Sequence, residues 1–477
     1  MYRSRPDGRR LRRGRGPPVA GTHPRNALIA RSPPMPHTFD RIPSDEILPA
    51  RADVVVIGAG IIGVTAALEL ARAGLSVALV EKGWVAAEQS SRNWGWVRQQ
   101  GRDRREIPLI VESLAIWDRL QAESPVDLGF RRTGLVSLTR SPDELARWRR
   151  WAVRGRAGGI VVEDLSADEA EAAFPSRGAP WIGGLRTPTD GRAEPAVAVP
   201  AIAALARAAG VGLHQETAVR GIEIDAGNVT GVVTERGRIA TSKVLVAGGA
   251  WSSQLLRRNG IRLPQLNLRS TVIRTTPAPE LISGALMSQE FCLRRRLDGG
   301  FTLTLRGDES SDVVVDAFRF LRPFLPGLLR EFRAIKLRFG TRFFVDLARW
   351  WPRPLDRVSA FEEERVSDPA PDPAVIRKAL AAFKRNRPEV AGVAPAEAWA
   401  GRIDATPDGV PVISTVATVA GLTIATGFCG HGFGIGPGAG RLAADLVRGT
   451  APIVDPTPFR LSRFDDGTPI FLDPDVI

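Results

Sequence analysis

The stretch Asp53-Val-Val-Val-Ile-Gly-Ala-Gly-Ile-Ile-Gly63 constrains this chain more than any other. Val54 to Ile57 form a β-branched run short enough for a buried parallel strand. Gly58, Gly60 and Gly63 follow at once, and a helical pattern continues to Ala73 before Gly74. A second strand, Leu75 to Val80, then delivers Glu81, 18 residues after Gly63. Strand, glycine turn, helix, strand and acid make a complete dinucleotide-binding βαβ unit. Gly58 permits the tight turn, Gly60 lets a pyrophosphate reach the backbone, and Gly63 lets the helix pack close to the strand. The helix N-terminus offers unpaired N–H groups and a partial positive charge. Glu81 is placed to accept both ribose hydroxyls, which disfavours a 2′-phosphate and hence NADP. Ile62 and Lys82 flank these positions and complete this part of the candidate cofactor set. The fingerprint alone leaves FAD and NAD open.

Three later segments favour flavin. Ser90-Ser-Arg-Asn-Trp-Gly-Trp-Val-Arg98 follows directly on the acidic strand end. Val244-Leu-Val-Ala-Gly-Gly-Ala-Trp251 is an apolar strand ending in a glycine turn. Gly427-Phe-Cys-Gly-His-Gly-Phe-Gly434 and a further glycine run to Gly440 precede a helix expected from about Arg441 to Val447. A nicotinamide domain has no need of its own C-terminus. A flavin enzyme does, because its ring must be gripped at the pyrimidine end, where N–H groups stabilise charge growing at N1 and O2.

Together these motifs resemble the D-amino-acid oxidase, glycine oxidase and sarcosine oxidase superfamily of FAD-dependent oxidoreductases. The 427–434 segment resembles the C-terminal flavin loop of monomeric sarcosine oxidase, and Arg105 through Trp117 that enzyme's helix after the flavin-contacting loop. Ala398 through Ile413 is similar to the segment that crosses the flavin face. The resemblance spans about residues 50–465 and is weakest over 260–390. It implies an α/β protein, α+β overall: a Rossmann-like FAD-binding domain with an inserted mixed antiparallel β-sheet substrate domain. The implied division is FAD-binding over 51–130, 194–258 and 397–450, substrate-binding over 131–193 and 259–396, and a C-terminal tail over 451–477 that wraps the surface. Phe301 to Leu305 and Thr271 to Arg274 have the strand-like alternation that such an insert needs.

Residue roles follow from the same resemblance. Val219 matches the strand whose backbone meets the adenine, Gly248 and Gly249 with Trp251 the turn beneath FAD, and Ser90, Ser91, Arg92 and Asn93 the loop near pyrophosphate and ring. Gly430, His431, Gly432, Phe433 and Gly434 match the flavin loop. Members with covalent flavin carry cysteine where this chain has Gly401, so FAD is expected to be bound non-covalently. Gly434 replaces the lysine that binds substrate carboxylate in sarcosine oxidase. Arg98 matches an arginine that holds a carboxylate or tunes the ring; a surface or ion-paired arginine is the alternative. Arg402 sits one residue from the arginine of glycine oxidase-like members. Asp404 either pairs with a substrate ammonium or an arginine, or caps the turn at Thr406-Pro-Asp408. His431 either acts at the ring or braces the loop. Lys336 faintly resembles the lysine that helps oxygen react.

Catalysis of this kind needs little acid–base chemistry from the protein, so the lack of a catalytic triad is no objection. The expected reaction is hydride transfer from the carbon beside an amine nitrogen of a small amine or amino acid, giving an imine that hydrolyses. The electrons then pass to O2 or to an electron-transfer acceptor. No metal site is expected, because only His214 and His431 remain beyond position 50 and Cys292 and Cys429 lie far apart. The missing close cysteine pair also excludes a disulfide reductase.

A net charge of +13 raises nucleic acid as a partner. Residues 1–34 hold nine Arg against Asp7, leaving +5 for the rest, so no nucleic-acid partner is expected. Those residues, and by extension 1–50, read as a disordered or wrongly assigned N-terminal extension. No apolar run behaves as a signal peptide, and a cytoplasmic location is expected. The run from Phe318 to Trp351 interleaves aromatics with arginines, among them Arg319, Arg322, Arg330, Arg333, Arg338 and Arg342. That pattern suits either a lid of packed helices or a peripheral contact with an anionic membrane. Two rival readings are an FAD-carrying subunit of a heteromeric amine or opine dehydrogenase and a tRNA aminomethyl-modifying flavoenzyme. The near-neutral body weighs against the second. Oligomeric state stays open.

Overall fold

A computed structural model describes residues 38–331 and 336–476. The arginine-rich residues 1–34 lie outside that range. Residues 38–50 do not behave as a loose extension: Asp45 pairs with Arg207 at 2.6 Å, and the Ser44 hydroxyl accepts the Gln215 N–H at 2.9 Å.

The centre is a six-stranded sheet of β1 (Val54–Ile57), β2 (Val77–Val80), β3 (Gly212–His214), β4 (Val244–Val246), β5 (Val412–Thr415) and β6 (Leu422–Thr426). Their order is β5-β6-β4-β1-β2-β3, parallel throughout except between β5 and β6. Every residue of β1 is buried because both faces are covered, which is why its sequence runs apolar without alternation. Val54 and Val56 join the core formed with α1 (Ile61–Arg72), α2 (Ile107–Glu123) and α3 (Gly432–Arg448). Val55 and Ile57 pack beneath a three-stranded antiparallel meander spanning residues 219–240.

The last helix begins at Gly432, nine residues before the expected start at Arg441. Its five glycines each cost about 1 kcal/mol of helix propensity. Packing outweighs that cost. A Cβ at Gly436 would lie 2.7 Å from Ile61, and one at Gly440 would lie 2.9 Å from the Ala66 nitrogen. The missing side chains let α3 lie directly on α1, so both helix N-termini open onto one region.

A ten-stranded mixed sheet forms the second layer. It holds strands at 135–139, 163–165 and 183–187 and others from 266 to 338, among them Leu266–Thr275 and Phe301–Thr304, which overlap the runs expected at Thr271 to Arg274 and Phe301 to Leu305. Pro395–Ala405 pairs along the length of Leu266–Thr275, so the segment entering the cofactor region is itself part of this sheet. The chain is thus α/β with an added mixed sheet.

The tail is anchored, not merely wrapped. Phe459 is buried, Arg463 grips Asp408 at 2.9 Å, and Asp473 and Asp475 meet Arg154 at 3.2 and 2.6 Å. Among the described residues, no helix is long and apolar enough to cross a membrane.

Candidate functional site

A cleft of about 1210 Å³ opens at the carboxyl ends of β1, β2 and β4. Gly58 turns there with φ +104°, and a Cβ on it would lie 2.5 Å from the Ala247 carbonyl oxygen. A Cβ on Gly63 would lie 1.9 Å from the Gly58 carbonyl oxygen. Gly63 therefore acts behind the wall, while Gly58, Gly60 and Ile62 line the cleft. Glu81 accepts the N–H groups of Ala59 and Gly83, both at 2.8 Å. Burial raises its carboxyl pKa, opposed by Lys82 and those two N–H groups. Two N–H donors leave lone pairs for ribose hydroxyls. The Ser90 hydroxyl accepts the Ile61 N–H at 2.9 Å and so clips the following loop to the start of α1.

Val219, Gly248, Gly249 and Asn93 line the same cleft. So do Lys82 and Trp251, joined through an acid that sequence reasoning missed. Lys82 Nζ donates to Glu88 at 2.8 Å and sits 4.2 Å from the Trp251 ring centroid. Trp251 Nε1 donates to both Glu88 oxygens at 3.0 Å, and the Ser367 N–H adds a third donor. Burial acts to raise the Glu88 pKa, but the Lys82 charge and these donors hold it below the usual carboxylate range. Nothing in the local sequence marks Glu88, because two of its three partners, Trp251 and Ser367, come from distant segments.

Ser91 and Arg92 do not line the cleft. Both are buried in the short helix Gln89–Arg92. Arg92 braces it by donating to the carbonyls of Ala87 and Ala400 and to Asp368 at 2.6 Å. Asp404 neither meets an arginine nor caps the 406–408 turn. Its Oδ2 accepts the Gly427 N–H at 2.6 Å and the Thr426 hydroxyl at 3.1 Å, pinning the loop that carries Gly430, Gly432 and Phe433 to the cleft. Burial raises its pKa. Arg402 lines the cleft, its buried Nε having no hydrogen-bond partner among the described residues. Gly434 lies behind: its carbonyl accepts from Ser113 and Trp117, and a Cβ there would come 3.0 Å from Val97 Cα.

A second chamber of about 770 Å³ adjoins the cleft, sharing Gln89, Asn93, Gly430 and Phe433 with it. Trp94, Trp96, Arg98 and His431 belong to its lining. Arg98 donates to the Gln100 carbonyl; burial lowers its pKa, opposed by Asp190 and Glu106. His431 Nε2 lies 3.0 Å from Glu106 Oε1. Burial lowers the imidazole pKa, with Glu106 opposing, so the ring is neutral near pH 7. Cys429 is a packed thiol whose pKa burial pushes up to about 12. Lys336 stands apart from both cavities, exposed on an edge strand and ion-paired with Asp308.

The lining fits FAD. Two helix N-termini converge, the glycine turn leaves backbone open to a diphosphate, and Glu81 keeps acceptor capacity for a ribose. Between cleft and chamber the buried Gln89 Oε1 has no hydrogen-bond donor among the described residues, as suits a wall that faces a ring N–H. The FAD dependent oxidoreductase family (DAO) matches residues 53–446. The chain belongs to that family. This member of the DAO family is an FAD-dependent oxidoreductase, with FAD as its cofactor. Glycine oxidase from Pseudomonas aeruginosa is 28% identical over 424 residues, covering 85% of this chain and 97% of that protein. D-amino acid dehydrogenase from Rhizobium johnstonii is 26% identical over 468 residues, covering 86% and 99%. The solved L-amino acid deaminase from Proteus myxofaciens, in complex with anthranilate, is 28% identical with a TM-score of 0.86, covering 90% of this chain and 97% of that one.

Proposed function

We propose that this enzyme oxidises the C–N bond of a small primary or N-substituted amine or amino acid to an imine, which water then hydrolyses. The observation that carries this reading is the 770 Å³ chamber opening off the FAD cleft through Gln89, Asn93, Gly430 and Phe433. Bound FAD supplies the two-electron acceptor that takes a hydride from the carbon beside nitrogen. The chain's own residues bind and orient. Trp94 and Trp96 form an edge-to-face pair with centroids 5.0 Å apart, a wall that excludes water and receives an apolar substrate body. The neutral His431, held by Glu106, favours an uncharged amine beside it. Gln89 fills the space at Gly401, where its oxygen lies 2.3 Å from an added Cβ, which supports non-covalent FAD. We assign FAD binding to residues 51–130, 194–258 and 397–450, and substrate binding to the ten-stranded sheet of 131–193 and 259–396.

For the electron acceptor, one observation favours a membrane-borne species over O2. No described residue of 318–351 lines the cleft, and Phe318, Leu329, Phe344 and Trp351 are 62–75% exposed, while Arg322 in the same run is exposed too. Such a surface suits a peripheral contact with an anionic bilayer. Flotation with anionic vesicles tests it, and loss of binding on making Phe318→Ser and Phe344→Ser together is the expected result.

Anaerobic mixing of the yellow protein with amino acids, N-methyl amino acids, opines and polyamines tests the main reading. Bleaching near 450 nm by at least one of them is expected. A flavin left oxidised by the whole panel contradicts the reading.

A further inference from the structure

A pocket of about 500 Å³ lies between the strand Val219–Asp225, the helix Ser252–Arg257 and residues 349–361, away from the substrate chamber. Five arginines line it, Arg220, Arg257, Arg258, Arg349 and Arg353, and no acid is among its described lining residues. The other cavities differ. The FAD cleft has Glu81, Glu88 and Asp404, the chamber has Glu309, and a cavity of about 630 Å³ beneath the C-terminal tail has Asp103, Glu106, Asp408 and Asp473. Only the arginine pocket among these presents cations without a facing carboxylate.

Four of the guanidinium groups are held by acids that lie outside the lining. Arg220 pairs with Glu362 at 2.8 Å, Arg257 with Asp316 at 3.4 Å, Arg349 with Glu364 at 2.6 Å and Arg353 with Glu363 at 2.5 Å. Arg257 also sits 3.8 Å from the Trp350 ring centroid. Arg258 is different. Its Nη1 donates to the Arg353 carbonyl at 2.5 Å, and it forms no ion pair with a carboxylate among the described residues. Most of its N–H donors are therefore left for a ligand. Arg220 donates to the Leu355 carbonyl at 3.1 Å and Arg353 to the Val358 carbonyl at 3.0 Å, which fixes the loop that carries Pro352 and Pro354. The site is thus formed before any ligand arrives. Planar guanidinium groups fixed around one space match the paired oxygens of a phosphate better than a point charge does.

Apolar groups bound the pocket on both sides. Leu255 and Phe361 belong to its lining and to that of the FAD cleft, so it backs onto the cofactor region. Trp351, 75% exposed, stands at its rim in the same run as the exposed Phe344. Tryptophan beside cationic side chains suits the level of lipid head groups. We propose that this pocket binds a phosphate ester, with the head group of an anionic phospholipid as the source that its rim favours. The site is separate from the chamber where the amine reacts. Only the choice of source rests on the membrane contact proposed above.

Calorimetric titration of the FAD-loaded protein tests the proposal. The probes are glycerol phosphate as a free ester, dihexanoyl phosphatidylglycerol below its aggregation concentration as the lipid, and glycerol as the neutral control. Wild type should bind the lipid, and the ester more weakly, but not glycerol, and should keep its FAD throughout. Lipid bound more tightly than the ester, or alone, identifies the head group as the source; lipid bound equally or less tightly identifies a free ester. Arg258→Gln should weaken binding by about tenfold or more, and Arg258→Lys should recover part of the loss. Arg322→Gln, exposed in the same run but outside the pocket, should change nothing. Wild type that binds neither probe overturns the proposal without any variant, and so does displacement of FAD by either one. An Arg258→Gln protein of unchanged affinity, or an equal loss on Arg322→Gln, overturns it as well. If the probes bind through Arg258 but anionic vesicles do not float the protein, the phosphate site stands and the membrane contact falls.

Discussion

The carbonyl oxygen of Gly58 lies 1.9 Å from the point where Gly63 would carry a Cβ. The contact joins the turn after β1 to the first turn of α1, so no residue but glycine fits without moving one of them. Gly63→Ala should destabilise the protein by about 3 kcal/mol or more, the upper range for overpacking, and should lower bound FAD. The 450-to-280 nm absorbance ratio and thermal unfolding measure both. Unchanged values in both would contradict the packing described.

Glu81 joins cofactor and fold through the two N–H groups it already accepts. Glu81→Gln keeps its size but replaces one acceptor oxygen with a donor. Hydrogen bonds to charged groups contribute about 1.5–3 kcal/mol, so FAD affinity should fall by roughly tenfold to a hundredfold. Titration of the apoprotein with FAD by fluorescence quenching checks the size of the change.

Asp404 is expected to act through the loop it pins, not on substrate. Asp404→Ala leaves the buried Gly427 N–H without its 2.6 Å acceptor, at about 1–3 kcal/mol. FAD should dissociate faster, while relative rates among substrates stay the same. A changed substrate order would instead place Asp404 in contact with the amine.

A pH effect follows from Asp190. This fully buried carboxyl accepts the Gln99 N–H at 2.6 Å and the Gln100 N–H at 3.2 Å, yet burial raises its pKa to about 6. The folded protein holds the proton more tightly than the unfolded chain, so the stabilisation is full below the unfolded value and is lost as pH rises through about 6. Between pH 5 and pH 7.5 the change from this group is about 1 kcal/mol. Urea unfolding at both pH values should show wild type losing that much more stability on going to pH 7.5 than Asp190→Asn does.

The sequence and the structure agree most closely where interactions are local. The βαβ unit was legible because strand, glycine turn, helix and acid all fall within 29 residues, from Asp53 to Glu81. The glycine-rich 432–440 stretch read as loop because propensity alone opposes a helix there. What makes it helical is Ile61 and Ala66, some 370 residues earlier in the chain. Arg92 reads as part of the loop near pyrophosphate and ring, and Asp404 as a partner of substrate or arginine or a turn cap, but their contacts run to backbone groups at 400 and 427 that local sequence does not reveal. Glu88 went unnoticed for the same reason: it gains its meaning from Trp251 and Ser367 as well as from Lys82.

The account depends on a dinucleotide held without a covalent bond in the cleft between the Gly58 turn and the start of α3. Acid denaturation of the purified protein, followed by spectroscopy of the supernatant, tests this most directly. About one FAD per chain should appear in solution, leaving a colourless precipitate. A precipitate that stays yellow would contradict non-covalent binding, and folded protein that yields no dinucleotide after incubation with excess FAD would contradict the site itself.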